Sequence, residues 1–177
     1  MSTQIVFETH SISEDNERGL ASGWLPGRLS VRGRGLAAEL GQRRSGSVDA
    51  IFASDLGRAA ETADVAFSGS GVPVLLDWRL RECDYGDLNG APAGQVHGDR
   101  VAYLDTPYPG GESWRQAVDC VGRFLLDLPR RWDDRRVLVI GHVATRWGLE
   151  CQLAGRTVES LVQEDFAWQA GWVYRLP

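Results

Sequence analysis

Apolar residues gather along this chain in short runs of two kinds. Two runs end at a histidine: Ile5-Val6-Phe7-Glu8-Thr9 leads to His10, and Val137-Leu138-Val139-Ile140-Gly141 leads to His142. Their β-branched character and length predict strands buried on both faces. Asp49 to Ala53 and Val72 to Leu76 predict further strands, and Trp172 to Leu176 a final one. Other stretches repeat with a helical period. Ser30 caps a predicted helix over Val31 to Arg44, with Leu36, Ala37 and Leu40 on one face. Ser54 is expected to cap another, with Leu56, Ala59, Ala60, Ala63 and Phe67 inward. The clearest period opens at Ser113, where Trp114, Ala117, Val118, Val121, Phe124, Leu125 and Leu128 share a face and Pro129 ends it. A helix also follows His142.

Strands alternating with helices predict an α/β fold in three layers, α/β/α, with a mostly parallel central sheet and helices on both faces. Asp84 to Gly111 departs from this rhythm. It is rich in Gly, Pro and Asp, has little periodicity, and is expected to cross the carboxyl edge of the sheet like a lid. Ligands of open α/β sheets collect outside the carboxyl ends of the strands. The two histidines are therefore predicted to converge on one crevice.

Composition narrows the function. A chain of 177 residues, 43% hydrophobic and 24% charged, reads as a single globular domain over 1–177. No stretch nears the roughly 18 apolar residues of a membrane span. The opening Met-Ser-Thr-Gln lacks the basic and apolar segments of a secretory signal. Cys83, Cys120 and Cys151 are odd in number and widely spaced, which opposes a disulfide framework. A cytoplasmic location is expected, with no membrane partner. The net charge of −5 opposes nonspecific nucleic-acid binding. All 19 basic residues are arginine. Without lysine there is no P-loop, no kinase-type ATP site and no Schiff base.

Four segments fall where strands end: Glu8-Thr9-His10-Ser11, Ser54 to Arg58, Leu80 to Asp84, and Gly141-His142. They offer two imidazoles, a guanidinium and a carboxyl group. Arg58 lies in the first turn of its predicted helix, where backbone N–H groups already favour an anion. Its fork suits phosphate geometry. A metal-dependent hydrolase built on His10, His142, Glu82 and Asp84 is an alternative, but no helix carries a spaced histidine pair, and the arginine suits an anion.

In this order the segments resemble the histidine phosphatase superfamily, also called the phosphoglycerate mutase-like fold. His10 and Asn16 keep the six-residue spacing of the family's first histidine and asparagine. Gly23-Trp24 with Leu29 to Gly33, Ala53 to Ala63, Leu80 to Gly86, Pro109 to Ser113 and Val139 to His142 are similar to its later blocks. The resemblance implies a phosphatase in which His10 attacks phosphorus and Glu82 protonates the leaving oxygen. Arg58, His142 and Asn16 would hold the phosphoryl oxygens. It implies a small phosphorylated metabolite as partner and no cofactor or metal. It also implies that mutases carry a longer insertion after the acid than the 28 residues from Asp84 to Gly111, which favours hydrolysis over mutase-type transfer.

One departure stands at the nucleophile. The family's Arg-His-Gly signature reads Thr9-His10-Ser11 here, preceded by Glu8. Losing a guanidinium costs on the order of 1.5–3 kcal/mol of phosphate affinity, and Glu8 would add repulsion if it faced the pocket. A catalytically weakened phosphate-binding or regulatory module is therefore a further alternative. Arg146, four residues after His142, is the expected substitute cation, with Arg18 and Arg28 as other candidates. Ser11 either donates to phosphate or fills the glycine's place. His97 is expected to be exposed, Trp24 and Trp114 to pack rather than border the pocket, Trp168 and Trp172 to pack, and Cys83 to be a small buried apolar residue.

Overall fold

The computed structural model describes residues 2–177. In chain order the elements are β1 (Thr3–Thr9), α1 (Glu14–Glu17), β2 (Leu20–Ala21), α2 (Val31–Arg44), β3 (Ala50–Ala53), α3 (Gly57–Phe67) and β4 (Val74–Leu76). They continue with β5 (Ala91–Pro92), α4 (Ala93–Gly98), α5 (Trp114–Asp127), α6 (Pro129–Trp132), β6 (Arg136–Gly141), α7 (Val143–Leu153), α8 (Val158–Leu161) and β7 (Trp172–Leu176).

Five strands form one sheet in the order β4-β3-β6-β1-β7, and only β7 runs antiparallel. The histidine-bearing strands β1 and β6 are neighbours in parallel register, with Thr9 opposite Gly141. That register sets His10 beside His142 at the carboxyl edge. Alternation along the strands divides the core. Ile5, Phe7, Val137 and Val139 pack with Val121, Phe124 and Leu125 of α5 on one face. Val6, Ile51, Leu138 and Ile140 meet Leu40 of α2 and Ala59, Ala63 and Phe67 of α3 on the other. All seven positions assigned to the inner face of the 114–128 stretch are buried.

Two local expectations are corrected. Ser54 does not cap α3: Leu56 is the N-cap residue and supplies no side-chain bond. Ser54 is buried at the strand end, where its Oγ accepts from the Leu56 amide at 3.3 Å. The apolar run at 72–76 yields only Val74–Leu76, and all three side chains are exposed, because β4 is an edge strand bonded to β3 alone. The excursion is more ordered than its composition suggests. Ala91 of β5 pairs with Ala21 of β2, α4 follows directly, and Tyr85, Val96, Leu104 and Tyr108 join a core with Trp114 and Trp147.

Candidate active site

A cavity of about 660 Å³ opens at the carboxyl edge of the sheet. His10, Ser11, Asn16, Arg58, Glu82 and His142 all line it, together with Tyr85. Each is held by the local fold. His10 extends β1 by one residue, with its amide bonded to the Gly141 carbonyl at 2.9 Å. His142 is the N-cap residue of α7 in extended conformation. Its amide donates to Thr145 Oγ1 at 2.9 Å, and that hydroxyl donates to the Leu80 carbonyl at 2.7 Å. Thr145 thus ties the second histidine to the chain just before Glu82. Gly141 is required there, because a Cβ would collide with Thr145 Oγ1.

Arg58 is 3% exposed and stands at the second position of α3. Its guanidinium donates to the carbonyls of Gly23 at 2.9 Å and Leu25 at 3.2 Å. It also reaches His10 Nε2 and His142 Nδ1, each at 3.3 Å. None of the described carboxylates forms an ion pair with it. A buried cation aimed between two imidazoles, with no described carboxylate within ion-pair distance, is placed to meet an anion. Thr62 braces this group: its hydroxyl donates to the Arg58 carbonyl at 2.7 Å and accepts from the Ser11 amide at 3.0 Å.

The imidazole rings are 5.0 Å apart. His10 Nδ1 lies 2.7 Å from the Ser11 carbonyl, an acceptor only, so Nδ1 carries the proton and Nε2 the lone pair. Burial, then Arg58, lowers the His10 pKa to about 3. Burial, Arg58 and His10 hold His142 well below its ordinary value, and its Nε2 has no hydrogen-bond partner. Both rings are therefore neutral near pH 7. A bound dianion would favour the protonated form of His142, the ring whose Nε2 is unpartnered.

Glu82 is buried, and burial raises its carboxyl pKa. Its oxygens accept from the amides of Cys83 at 3.0 Å, Ala144 at 3.1 Å and Val143 at 3.3 Å, which favours the anion and limits that rise. The side chain thus sits on the N-terminus of α7, beside His142. Trp24 donates from Nε1 to the Glu82 carbonyl at 2.7 Å and lies under the Arg81 guanidinium, so it packs beneath the acid. Among the described residues, no group of three His, Cys, Asp or Glu side chains is placed to hold a metal ion.

The three substitute cations are not in the pocket. Arg146 lies over the Trp172 ring at 4.9 Å and faces Glu150 at 3.8 Å. The four-residue argument fails because His142 caps α7 in extended backbone, outside the helical register. Arg28 pairs with Glu14 at 3.0 Å and Arg18 faces Asp15 at 4.0 Å, and neither lines the cavity. Glu8 is neutralised instead of repulsive. It is 2% exposed, accepts two bonds from Arg44 at 2.7 and 2.9 Å, and accepts a third from Arg43 at 3.1 Å. Arg43, Leu36, His97, Phe166 and Trp168 also border the cavity, none of them a candidate from the sequence. Trp168 is 61% exposed, contrary to the packing expected, whereas Trp172, Trp114 and Cys83 are buried.

The histidine phosphatase superfamily (branch 1) model matches residues 5–172, a span that contains every one of these side chains. The chain belongs to this superfamily. It is similar to the 2,3-bisphosphoglycerate-dependent phosphoglycerate mutase of Methylobacterium sp. (strain 4-46), with 33% identity over 193 positions covering 99% of this chain and 92% of the relative. Among solved structures, YhfR of Bacillus stearothermophilus superposes with a TM-score of 0.84, at 23% identity, covering 97% of this chain and 90% of that one. At that identity the likeness concerns the fold. A mycobacterial glucosyl-3-phosphoglycerate phosphatase gives 0.74 at 26% identity, covering 92% and 84%. The three-layer, mostly parallel architecture expected from the sequence is that of these superfamily members. Among the described residues no helix is long and apolar enough to cross a membrane.

Proposed function

We propose that this superfamily member is a phosphomonoesterase acting on a small phosphorylated metabolite through a phosphohistidine at His10. The observation that carries the reading is Arg58, a buried guanidinium bonded to no carboxylate, placed between two neutral imidazoles with the buried carboxyl of Glu82 in the same cavity. His10 Nε2 forms the bond to phosphorus while the bond to the leaving oxygen breaks. Glu82 gives that oxygen its proton, then takes one from the attacking water as the P–N bond breaks. Arg58, His142 Nε2, the Ser11 hydroxyl and Asn16 hold the phosphoryl oxygens, where fixed donors act on the charge that the transition state spreads over them. The reaction needs neither metal nor cofactor, and the partner is the metabolite alone, not a nucleic acid or a membrane.

Mutase-type transfer is the second reading, favoured by the name of the Methylobacterium relative. Against it, the 193 aligned positions exceed the 177 residues of this chain by at least 16, so the relative carries segments this chain lacks. Para-nitrophenyl phosphate is expected to be hydrolysed at an unchanged rate after exhaustive chelation. Interconversion of 2- and 3-phosphoglycerate exceeding their hydrolysis would replace hydrolysis by transfer.

Glu82→Gln separates proton transfer from attack. For an alkyl phosphate, kcat/KM, which reports formation of the phosphohistidine, is expected to fall by about 10²–10⁴-fold. For para-nitrophenyl phosphate the loss in kcat/KM is much smaller, because nitrophenolate leaves without a proton. Equal losses on both substrates would remove Glu82 from the role of acid.

A further inference from the structure

The cavity does not end at the phosphate site. Past Thr9 it is lined by Arg32, Leu36, Glu39, Leu40 and Arg43 of α2 and by Phe166 and Trp168 of the segment before β7. Positions 36, 40 and 43 follow one helical stripe of α2. Phe166 is 43% and Trp168 61% exposed, and the Phe166 ring leans on Trp172 at 6.2 Å, so the two present apolar area to the cavity. The Arg44 bond to the Ala170 carbonyl at 2.9 Å ties the segment to α2. The Arg43 and Arg44 bonds to Glu8 at 3.1 and 2.7 Å hold the floor.

The chamber meets the phosphate site where the superfamily signature has changed. With Thr9 in place of a guanidinium, the signature position supplies no cation; the cations nearest on the chamber side are Arg32 and Arg43, and Arg43 is paired with Glu8. A phosphomonoester dianion spreads two negative charges over three non-bridging oxygens, each of which needs a donor. A phosphodiester carries only one negative charge, and its second ester oxygen needs room instead of a cation. Arg58 and His142 Nε2 remain for the other oxygens, His10 being spent as the nucleophile.

We infer that the site also hydrolyses phosphodiesters, seating an aromatic or bulky apolar second ester group in the chamber between Leu36, Phe166 and Trp168. The inference rests on the reading of His10 as nucleophile and Glu82 as acid. His10 Nε2 bonds to phosphorus, the bond to the first alcohol's oxygen breaks, and Glu82 protonates that oxygen. Water attacks phosphorus, returning a proton to Glu82 as the P–N bond breaks. One alcohol and one phosphomonoester leave, for one water consumed. The second ester group stays on phosphorus throughout and lies to the Thr9 side of the attack line.

Three chromogenic esters test this on the intact chain: para-nitrophenyl phosphate, its methyl diester and its phenyl diester. The phenyl diester is expected to exceed the methyl diester in kcat/KM by about tenfold, the scale of burying one ring. Trp168→Ala is expected to erase most of that preference. Thr9→Arg is expected to lower the ratio of phenyl-diester to monoester turnover by about tenfold or more. Equal turnover of the two diesters, or a preference that survives Trp168→Ala, overturns the chamber. Hydrolysis of the monoester with neither diester turned over overturns the inference and spares the monoesterase reading. Diester turnover without monoester turnover supports the inference and overturns that reading.

Discussion

Replacing His10 with alanine is expected to lower kcat/KM by at least about 10⁴-fold, the scale seen when a covalent nucleophile is removed from a site whose other groups stay in place. The size follows from what remains. Arg58 keeps its bonds to the Gly23 and Leu25 carbonyls, and Glu82 keeps its three amide donors, so the variant still offers an anion pocket. Removing an imidazole beside a buried guanidinium relieves no charge, because His10 is neutral there, its pKa lowered to about 3. Binding of inorganic phosphate should therefore persist while turnover vanishes. The check is a paired measurement of hydrolysis and phosphate affinity. A variant that keeps a tenth of the activity would show that water attacks phosphorus directly.

The second large effect belongs to Arg58→Ala. It is the one buried guanidinium that touches both imidazoles, and it carries the charge that the signature position no longer supplies. Removing a preorganised donor of this kind costs about 10²–10³-fold in kcat, or about 2.7–4 kcal/mol. The pH profile should move as well, and the sign is fixed. Arg58 is the second cause, after burial, that lowers the His10 pKa, and it lowers His142 too. Without it both values rise. Attack needs neutral His10, so the acid limb of kcat/KM shifts to higher pH. Arg58→Lys should restore part of that limb, because a cation returns, but less of kcat, because a lysine cannot meet Gly23, Leu25 and both rings together. An acid limb that stays in place in Arg58→Ala would mean that His10 does not report it.

What the sequence revealed and what it hid have physical reasons. The two buried strands were legible because β-branched runs have few other uses, and their ends located His10 and His142. The inner face of the 114–128 stretch was legible to the residue because seven positions repeat over four turns. Arg146 was misplaced because a spacing of four has meaning only inside one helix, and His142 stands outside α7 as its cap. The exposure of Val74–Leu76 was hidden because composition cannot say which strand lies at the edge; that depends on the order β4-β3-β6-β1-β7. Phe166 and Trp168 were missed for a related reason. They sit in irregular backbone with no period, and only the antiparallel return of β7 beside β1 brings that segment over Thr9. Glu8 shows the same limit: a carboxylate beside the nucleophile reads as repulsion until α2 delivers Arg43 and Arg44 to it.

The most direct test of the account is to trap the intermediate. The enzyme is mixed with excess para-nitrophenyl phosphate, quenched in alkali within one turnover, digested and analysed by mass spectrometry. The account predicts a single phosphoryl group on the peptide that carries His10, stable in base, lost in acid, and absent from His10→Ala. Steady turnover with no phosphoryl-enzyme at any time, or a phosphoryl group on a residue other than His10, would contradict it.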